Sequence, residues 1–197
     1  MSKKIAITGG IGSGKSTVSN ILRDKGYPVY SCDEIYKELT KSKAYIDEIE
    51  KAFPVVVKQG RIDKKSLADI VFHDEKQRIR LNQIAHPLVM KTLLARMNEN
   101  KNQIIFAEVP LLLEGNFEKL FDQTIVVLRN REERLKAVCE RDGVSLEKAT
   151  ERMNAQFDYD DPQSKNRLQK IGAIFIENTG DFFSLKNNVT IALKILL

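Results

Sequence analysis

Nine consecutive residues near the N-terminus have the types and spacing that bind phosphate groups. They read Gly9-Gly10-Ile11-Gly12-Ser13-Gly14-Lys15-Ser16-Thr17 and fit the pattern of a glycine, four residues, Gly-Lys and a serine or threonine. Glycines let backbone N–H groups point inward, and the start of a following helix adds partial positive charge, so this phosphate loop holds a polyphosphate. In such a loop the lysine reaches the β- and γ-phosphates and the next hydroxyl binds Mg²⁺. We therefore expect Lys15 to neutralise phosphate charge and Ser16 to be a metal ligand.

Two acidic residues follow or end predicted strands, where they could act beside the phosphates. Asp33 comes after the short β-prone run 27–30, and ligands bind at the carboxyl ends of parallel strands. Asp33 is either a general base or an N-cap of the next helix, two compatible roles of which we favour the first. Glu108 interrupts the apolar strand predicted over 103–109. It either meets Mg²⁺ through water or pairs with a nearby base.

Between the last two predicted strands lies a charged stretch that is predicted to form a helical hairpin, broken at Asp142-Gly143. Its arginines are Arg129, Arg131, Arg134, Arg141 and Arg152. Arginines on such a hairpin can close over a triphosphate and spread positive charge on the transferring group. A solvated face balanced by glutamates accounts for most of them. Only Arg141, at the turn, is expected to act on the transferred group.

Hydrophobic periodicity predicts the elements that position these residues. Strands are expected at 4–8, 27–30, 103–109, 123–128 and 174–176. The first helix should run from the phosphate loop to about residue 25 and end at Gly26, and the last should carry an apolar stripe over 185–196. Nearly continuous apolar strands are typical of a parallel sheet covered on both faces. The predicted fold class is α/β, with a five-stranded parallel sheet.

Residues 44–98 read as mostly helical and contribute no strand to that sheet. Because a βα unit needs only a short crossover, this length indicates a helical insertion at the ligand edge, where insertions usually read the substrate. Turns are expected at Phe53-Pro54, Gln59-Gly60 and His86-Pro87, with Pro87 as the first residue of the last helix of the insertion. His86 is then a turn or capping residue or, alternatively, a catalytic one.

Composition limits the function classes. The 197 residues suffice for one substantial core, and their formal charge of +5 is spread without runs of like charge, which suits phosphorylated small molecules as well as nucleic acid. No apolar run approaches the roughly 20 residues that span a bilayer, and the run after Lys3-Lys4 is too short for a secretory signal. With only Cys32 and Cys139, no disulfide framework is implied. We expect a cytoplasmic protein that binds no membrane.

Taken together, these motifs resemble the dephospho-CoA kinase family, whose members transfer the γ-phosphoryl group of ATP to the 3′-hydroxyl of dephospho-CoA. The resemblance covers most of the chain. Besides the phosphate loop with Thr8, it rests on Asp33, Gly60 with Asp63 and Leu67, Val71-Phe72, His86-Pro87, Val109-Pro110-Leu111-Leu112-Leu113-Glu114, Arg134, Arg141, Arg152 with Gln156, and Asn178-Thr179-Gly180.

The resemblance implies one kinase domain that uses Mg²⁺, takes ATP and dephospho-CoA as substrates and binds no nucleic acid. Its core would be 1–35, 99–137 and 166–197, its helical acceptor-binding insertion 36–98 and its helical lid 138–165. The catalytic residues would be Asp33 as the base, Lys15 and Arg141. The ATP-binding residues would be Gly10, Gly12, Ser13, Gly14, Lys15, Ser16, Thr17 and Asn178, and the acceptor-binding residues would be Asp33, His86, Pro110, Leu111 and Glu114.

The chain departs from the usual family pattern at four places. Ser31-Cys32-Asp33 stands where the family shows Asp-Ala-Asp, Glu108 where it shows Asp, Lys64 where it shows Arg, and Gly172-Ala173 where it shows Ala-Asp. The change at Lys64 is the largest, because a point charge does not replace the bidentate fork of arginine on a phosphate.

Three other function classes share parts of this pattern. Another small-molecule or nucleoside monophosphate kinase would have the same loop and lid. A GTPase would need a guanine-reading Asn-Lys-x-Asp, and the nearest string, Asn100-Lys101-Asn102-Gln103, lacks the final aspartate. A nucleic-acid-binding ATPase would need a continuous basic groove with stacking aromatics, whereas the aromatic residues here lie mostly at core-like positions.

Overall fold

The computed structural model describes residues 2–159 and 161–197. The described residues form two compact units, a sheet unit made of the chain up to Tyr30 together with Asn100–Leu197, and a helical unit made of Ser31–Glu99. The strands are β1 Lys3–Thr8, β2 Val29–Ser31, β3 Val57–Lys58, β4 Arg61–Ile62, β5 Ile104–Glu108, β6 Gln123–Leu128 and β7 Ile174–Glu177. The helices are α1 Lys15–Asp24, α2 Cys32–Leu39, α3 Lys43–Ala52, α4 Lys64–His73, α5 Glu75–Glu99, α6 Arg131–Asp142, α7 Leu146–Asn154, α8 Pro162–Lys170 and α9 Phe182–Leu196.

The main sheet confirms the predicted α/β class. It is a parallel, five-stranded sheet with the strand order β2-β5-β1-β6-β7, in which Ile5 of β1 lies opposite Phe106 of β5 and Gln123 of β6. The first strand, β1, is therefore the central one. The strands β2 and β5 lie on one side of it, and β6 and β7, which come later in the chain, lie on the other side. Ligands of such sheets bind beyond the carboxyl ends of the strands, where the order reverses, and the phosphate loop follows β1 there.

The two faces of the sheet are buried under different helices. Alternate residues of a strand point to opposite faces, and Ile5, Ile7, Ile125 and Val127 pack in one cluster with apolar residues of α1 and α9. On the opposite face Val126 clusters with Leu113, Tyr159 and Leu168. Burial on both faces explains why the strands read as nearly continuous apolar runs.

The helical unit has a core of its own. Tyr45, Ile49, Phe53, Leu67 and Ala85 are buried together, drawn from α3, α4, α5 and the segment after α3. Beside them lies a small antiparallel hairpin of β3 and β4, which the sequence analysis did not predict. Its turn is the predicted one at Gln59-Gly60, where both residues have positive φ, 51° and 71°, as a tight hairpin turn requires.

The prediction that a turn at His86-Pro87 starts a new helix is wrong. Pro87 lies inside α5, which runs without a break from Glu75 to Glu99. Proline removes one hydrogen bond from a helix interior, but buried residues on both sides of it, Ala85 and Val89, hold the two halves against the core. Packing therefore outweighs the local cost of the proline.

The helices after β6 follow the predicted hairpin. Helix α6 ends at Asp142, its C-cap Gly143 has a left-handed φ of 62°, and α7 starts three residues later behind the N-cap Ser145. Helix α8 follows and was not predicted. Among the described residues, no helix combines the length and the apolar character needed to cross a membrane.

Candidate active site

The phosphate loop joins β1 to α1 and forms the floor of the candidate site. Gly14 is the N-cap of α1 with a left-handed φ of 94°, and the first turn of the helix carries no acidic residue, so its N–H groups and partial positive charge are available to an anion. The ammonium group of Lys15 folds back over the loop and donates to the carbonyl oxygens of Gly9 at 2.9 Å and Gly10 at 3.0 Å. The predicted lysine therefore lies above the surface that a polyphosphate would occupy.

Glu108, at the end of β5, lies beside the start of α1. Its side chain is buried, and its two carboxylate oxygens accept hydrogen bonds from the hydroxyls of Ser16 and Ser19, each at 2.9 Å. A hydroxyl that gives its proton to a carboxylate keeps its oxygen lone pairs for another partner. The hydrogen bond with Ser16 therefore places Glu108, an acid at the end of a strand, beside the predicted metal ligand. The hydrogen bond with Ser19 was not predicted from the sequence.

Two arginines, Arg129 and Arg134, contact the phosphate loop from the side of α6. Arg134 is only 6% exposed, and its guanidinium lies so close to Gly10 that a Cβ there would collide with it. Its backbone covers Gly12, where a Cβ would lie 2.6 Å from the Arg134 carbonyl oxygen. Arg129 donates from Nη1 to the carbonyl oxygen of Gly12 at 3.4 Å. The buried Arg134 was not among the predicted site residues, and only the family motif pointed to it.

Asn178 supports the loop from the end of β7. Its side-chain amide donates to the carbonyl oxygen of Ser13 at 2.8 Å, and its backbone N–H donates to Leu128 at 2.8 Å. A Cβ on Gly14 would collide with the same amide. The structure therefore places the polar side chain that follows β7 directly against the loop, while its predicted contact with ATP stays a prediction.

The segment after α7 also fastens the loop. The side-chain oxygen of Gln156 accepts the N–H of Ile11 at 2.9 Å, and the hydroxyl of Tyr159 shares a 2.7 Å hydrogen bond with the Thr8 hydroxyl. Tyr159 is buried, and burial is the main cause that raises its pKa above the ordinary tyrosine value. No local pattern reveals these contacts, because they join residues about 150 positions apart.

The predicted acceptor-binding residues of the sheet unit lie in the turn after β5. Pro110 and Leu111 are half-buried, and Glu114 is exposed. The carboxylate of Glu114 accepts the backbone N–H of Phe157 at 3.0 Å, so this side chain holds the same segment that fastens the phosphate loop. Binding of the acceptor by these residues stays a prediction.

Arg141 lies in the last turn of α6 and is largely exposed. It makes a two-pronged ion pair with Asp142, at 2.7 Å from Nε and 3.1 Å from Nη2, and Arg152 of α7 reaches the same carboxylate at 2.6 Å. The hydrogen bond from Arg141 and the positive charge of both arginines lower the pKa of Asp142. Asp142 thus ties the two helices of the hairpin together through arginines.

Asp33 and His86 belong to the helical unit. Asp33 is exposed in the first turn of α2. The N-cap is Ser31, whose hydroxyl accepts the N–H of Glu34 at 3.4 Å, so the alternative reading of Asp33 as the N-cap is wrong. The helix starts two residues earlier than that reading required, which leaves the Asp33 carboxylate outside the cap. His86 is half-buried within α5.

Comparisons with known proteins agree with this arrangement. A family model described as dephospho-CoA kinase matches residues 3–181. The chain belongs to this family. It is 34% identical to the dephospho-CoA kinase of Fusobacterium nucleatum over 94% of each chain, and 36% identical to that of Thermus thermophilus over 98% of this chain and 89% of the relative. The crystal structure of TT1252 from Thermus thermophilus superposes with a TM-score of 0.82 at 34% identity, covering 100% of this chain and 98% of that one.

Membership in the dephospho-CoA kinase family extends over the phosphate loop, Glu108, the hairpin of α6 and α7, and the helical unit. This membership makes the chain an ATP-dependent kinase.

Proposed function

We propose that this chain transfers the γ-phosphoryl group of ATP to the 3′-hydroxyl of dephospho-CoA and releases coenzyme A and ADP. The observation that carries the proposal is the contact of Ser16 in the phosphate loop with the buried Glu108 at the end of β5, in a member of the dephospho-CoA kinase family. Phosphoryl transfer needs little covalent chemistry from the protein, which mainly positions the substrates and stabilises charge.

The residues around Ser16 fit Mg²⁺. This ion prefers oxygen ligands and usually binds through one or two protein groups together with substrate phosphates. Ser16 and Glu108 supply such oxygens, and the described residues contain no cluster of three His, Cys, Asp or Glu side chains that could hold a metal without the nucleotide. When bound, the ion neutralises negative charge on the phosphate oxygens. Because Glu108 accepts the proton of the Ser16 hydroxyl, the lone pairs of that oxygen would remain for the ion.

The remaining roles follow from side-chain chemistry. Lys15 would leave the carbonyl oxygens of Gly9 and Gly10 for the β- and γ-phosphates. Arg141 would bring its planar guanidinium to the transferred group, and Asp33 would orient the acceptor hydroxyl and accept its proton. The exposure of Arg141 and Asp33 supports these roles, because neither side chain is needed in a core.

The acceptor would be held by the insertion 36–98 with His86, Pro110, Leu111 and Glu114, and the segment 138–165 would act as the lid. Asn178 would add a contact to ATP beside its contact with Ser13. Membership in a family of small-molecule kinases favours small phosphorylated substrates over nucleic acid. We place the reaction in the cytoplasm, where Cys32 and Cys139 would keep the thiol form that they have here.

The test is an acceptor screen. Purified protein is incubated with ATP and Mg²⁺ and either dephospho-CoA, a nucleoside monophosphate or shikimate, and the phosphorylated product is located by mass spectrometry. We expect transfer only to dephospho-CoA, at the 3′-hydroxyl, and its loss on chelation of the metal. Transfer to a nucleoside monophosphate in preference to dephospho-CoA would overturn the proposal.

A further inference from the structure

Ser19 connects the interior of the sheet unit to the candidate metal site. It lies on α1 three residues after Ser16, and residues at this spacing are neighbours on one face of a helix. The side chain of Ser19 is completely buried, Glu108 is only 7% exposed, and Ser16 is exposed. The three side chains therefore form a short hydrogen-bonded row that runs from the core of the sheet unit to the surface of the phosphate loop.

The hydroxyl of Ser19 has one specific partner. Alanine favours a helix interior more than serine does, and a hydroxyl that is removed from water needs a hydrogen-bond partner. A serine in a helix often bonds back to the carbonyl oxygen four residues earlier, but Ser19 donates its one proton to Oε2 of Glu108 at 2.9 Å. What this hydroxyl adds at its position is therefore the contact with Glu108.

Glu108 is a buried carboxylate without a basic partner. Among the ion pairs found within residues 2–159 and 161–197, none includes Glu108. In the same residues its two oxygens accept hydrogen bonds from the hydroxyls of Ser16 and Ser19. Buried charges are costly unless they are paired or meet a metal ion. A cation beside Ser16 would therefore stabilise this carboxylate.

Glutamate needs more support at position 108 than aspartate would. Glu108 stands where the family pattern shows aspartate, and its side chain is longer by one methylene and one torsion, the last of which has only a broad preference. One hydrogen bond, to Ser16, would fix one oxygen and let the carboxylate turn about it. The second hydrogen bond, from Ser19 to the other oxygen, fixes the plane of the carboxylate. Mg²⁺ demands near-ideal octahedral geometry, so a fixed plane favours its binding.

We propose that Ser19 is a positioning residue that adapts the metal site of this chain to glutamate at position 108. By holding Oε2, Ser19 keeps Oε1 against the Ser16 hydroxyl, whose oxygen lone pairs would remain for Mg²⁺. The inference rests on the proposed function, in which ATP with Mg²⁺ is the phosphoryl donor. Ser19 would act only through Glu108, because its own side chain is completely buried.

The test measures how much Mg²⁺ strengthens the binding of ATP, which requires neither an acceptor nor turnover. Calorimetry gives the dissociation constant of ATP in excess EDTA and in excess Mg²⁺, and the ratio of the two constants is the Mg²⁺ enhancement. We expect Ser19→Ala to reduce the enhancement at least about 10-fold, as is typical when a residue that supports a metal ligand is removed, and to leave the constant in EDTA unchanged. Asn20→Ala is the matched control, because it removes an exposed side chain on the same helix that is bonded to Arg23. It should change neither constant.

The variant Glu108→Asp shows whether the effect depends on the longer side chain. When Glu108→Asp is already present, adding Ser19→Ala should reduce the enhancement no more than about twofold, because the two substitutions act on one contact and are not additive. An equal reduction in both backgrounds would overturn the proposal, since Ser19 would then support α1 and not the glutamate. Absence of any enhancement in the double variant would overturn it as well, because aspartate would then need Ser19 too.

Stability and kinetics separate positioning from a merely structural role. If Ser19→Ala lowers the melting temperature of the nucleotide-free chain but keeps the full Mg²⁺ enhancement, the proposal is overturned. An equal loss of ATP binding in EDTA would overturn it by assigning Ser19 to the phosphate loop itself. In steady-state transfer, the Mg²⁺ concentration for half-maximal activity of Ser19→Ala should rise at least about 10-fold, with the KM for dephospho-CoA and kcat at saturating Mg²⁺ unchanged. If the wild-type chain transfers nothing to dephospho-CoA, the proposed function fails, yet the binding measurements still decide the role of Ser19.

Discussion

Replacing Gly12 with alanine tests how α6 holds the phosphate loop. Gly12 has a φ of 77°, and a Cβ there would lie 2.6 Å from the carbonyl oxygen and 3.0 Å from the Cα of Arg134. A left-handed residue with a side chain costs about 1–2 kcal/mol, and overpacking against atoms that cannot move adds about 1–3 kcal/mol. We therefore expect Gly12→Ala to lower the free energy of unfolding by about 2–5 kcal/mol and to abolish ATP binding.

Gly10→Ala is the matched comparison. A Cβ on Gly10 would meet the guanidinium of Arg134 rather than backbone, and Gly10 is not among the glycines with positive φ. Only the overpacking cost then remains, about 1–3 kcal/mol. The double variant Gly10→Ala with Arg134→Met should recover part of that loss, because neighbouring substitutions couple.

Urea unfolding followed by far-ultraviolet circular dichroism measures these differences, since the chain has no tryptophan. A change in midpoint with an unchanged m-value reports stability alone. The reasoning is refuted if Gly12→Ala lowers the free energy of unfolding by less than Gly10→Ala does, or if Gly12→Ala binds ATP as tightly as wild type.

Three further outcomes are expected. Lys15→Ala should abolish transfer to dephospho-CoA, because Lys15 balances the charge of the phosphates. The melting temperature should stay close to wild type, because Lys15 is not part of the core. Asp33→Asn should lower kcat by roughly 10²- to 10⁴-fold with unchanged ATP affinity, and with unchanged stability because Ser31 is the cap. Above pH about 10 the free energy of unfolding should fall by up to about 1.4 kcal/mol per pH unit for each of Tyr45 and Tyr159. Burial raises the pKa of both hydroxyls in the folded chain, so they stay protonated there while the unfolded chain ionises.

A defined result would contradict each of these three predictions. Full activity of Lys15→Ala would remove the phosphate loop from the mechanism, and a turnover of Asp33→Asn within threefold of wild type would leave the base to another residue, with His86 the next to test. Urea titrations from pH 8 to 11 on Tyr45→Phe and Tyr159→Phe should each show a shallower alkaline loss than wild type. Equal slopes in all three proteins would mean that the two hydroxyls ionise in the folded chain as well.

Local patterns predicted the parts of the fold in which one signal dominates. The strand over 123–128 and the phosphate loop were both located, because buried parallel strands and glycine-rich anion sites have short-range signatures. The hairpin of β3 and β4 was missed because two residues per strand are too few to show alternation. Pro87 misled the prediction because tertiary packing overrides local propensity.

The residues that hold the phosphate loop in place were harder to predict from the sequence than the residues expected to act on the phosphates. Lys15 and Ser16 are named by their motif, whereas the buried Arg134 reads in sequence as one charged residue among many on α6. The contacts of Gln156 and Tyr159 with the phosphate loop depend on how the chain returns to β1, which no local window contains. The alternative that made Asp33 the cap of α2 was wrong because Ser31, two positions earlier, is an equally good capping residue and occupies the cap.

The central position of β1 has a consequence for synthesis of the chain. Its partners, β5 and β6, begin only at Ile104 and Gln123, so β1 leaves the ribosome long before either strand with which it pairs. At a translation rate of about 5–20 residues per second this delay lasts roughly 5–20 s. During that time the apolar run Ile5-Ala6-Ile7 offers two unpaired edges to other chains. Fragments that stop before residue 104 should therefore aggregate, and early chaperone contact with the nascent β1 would protect the chain until β5 is made.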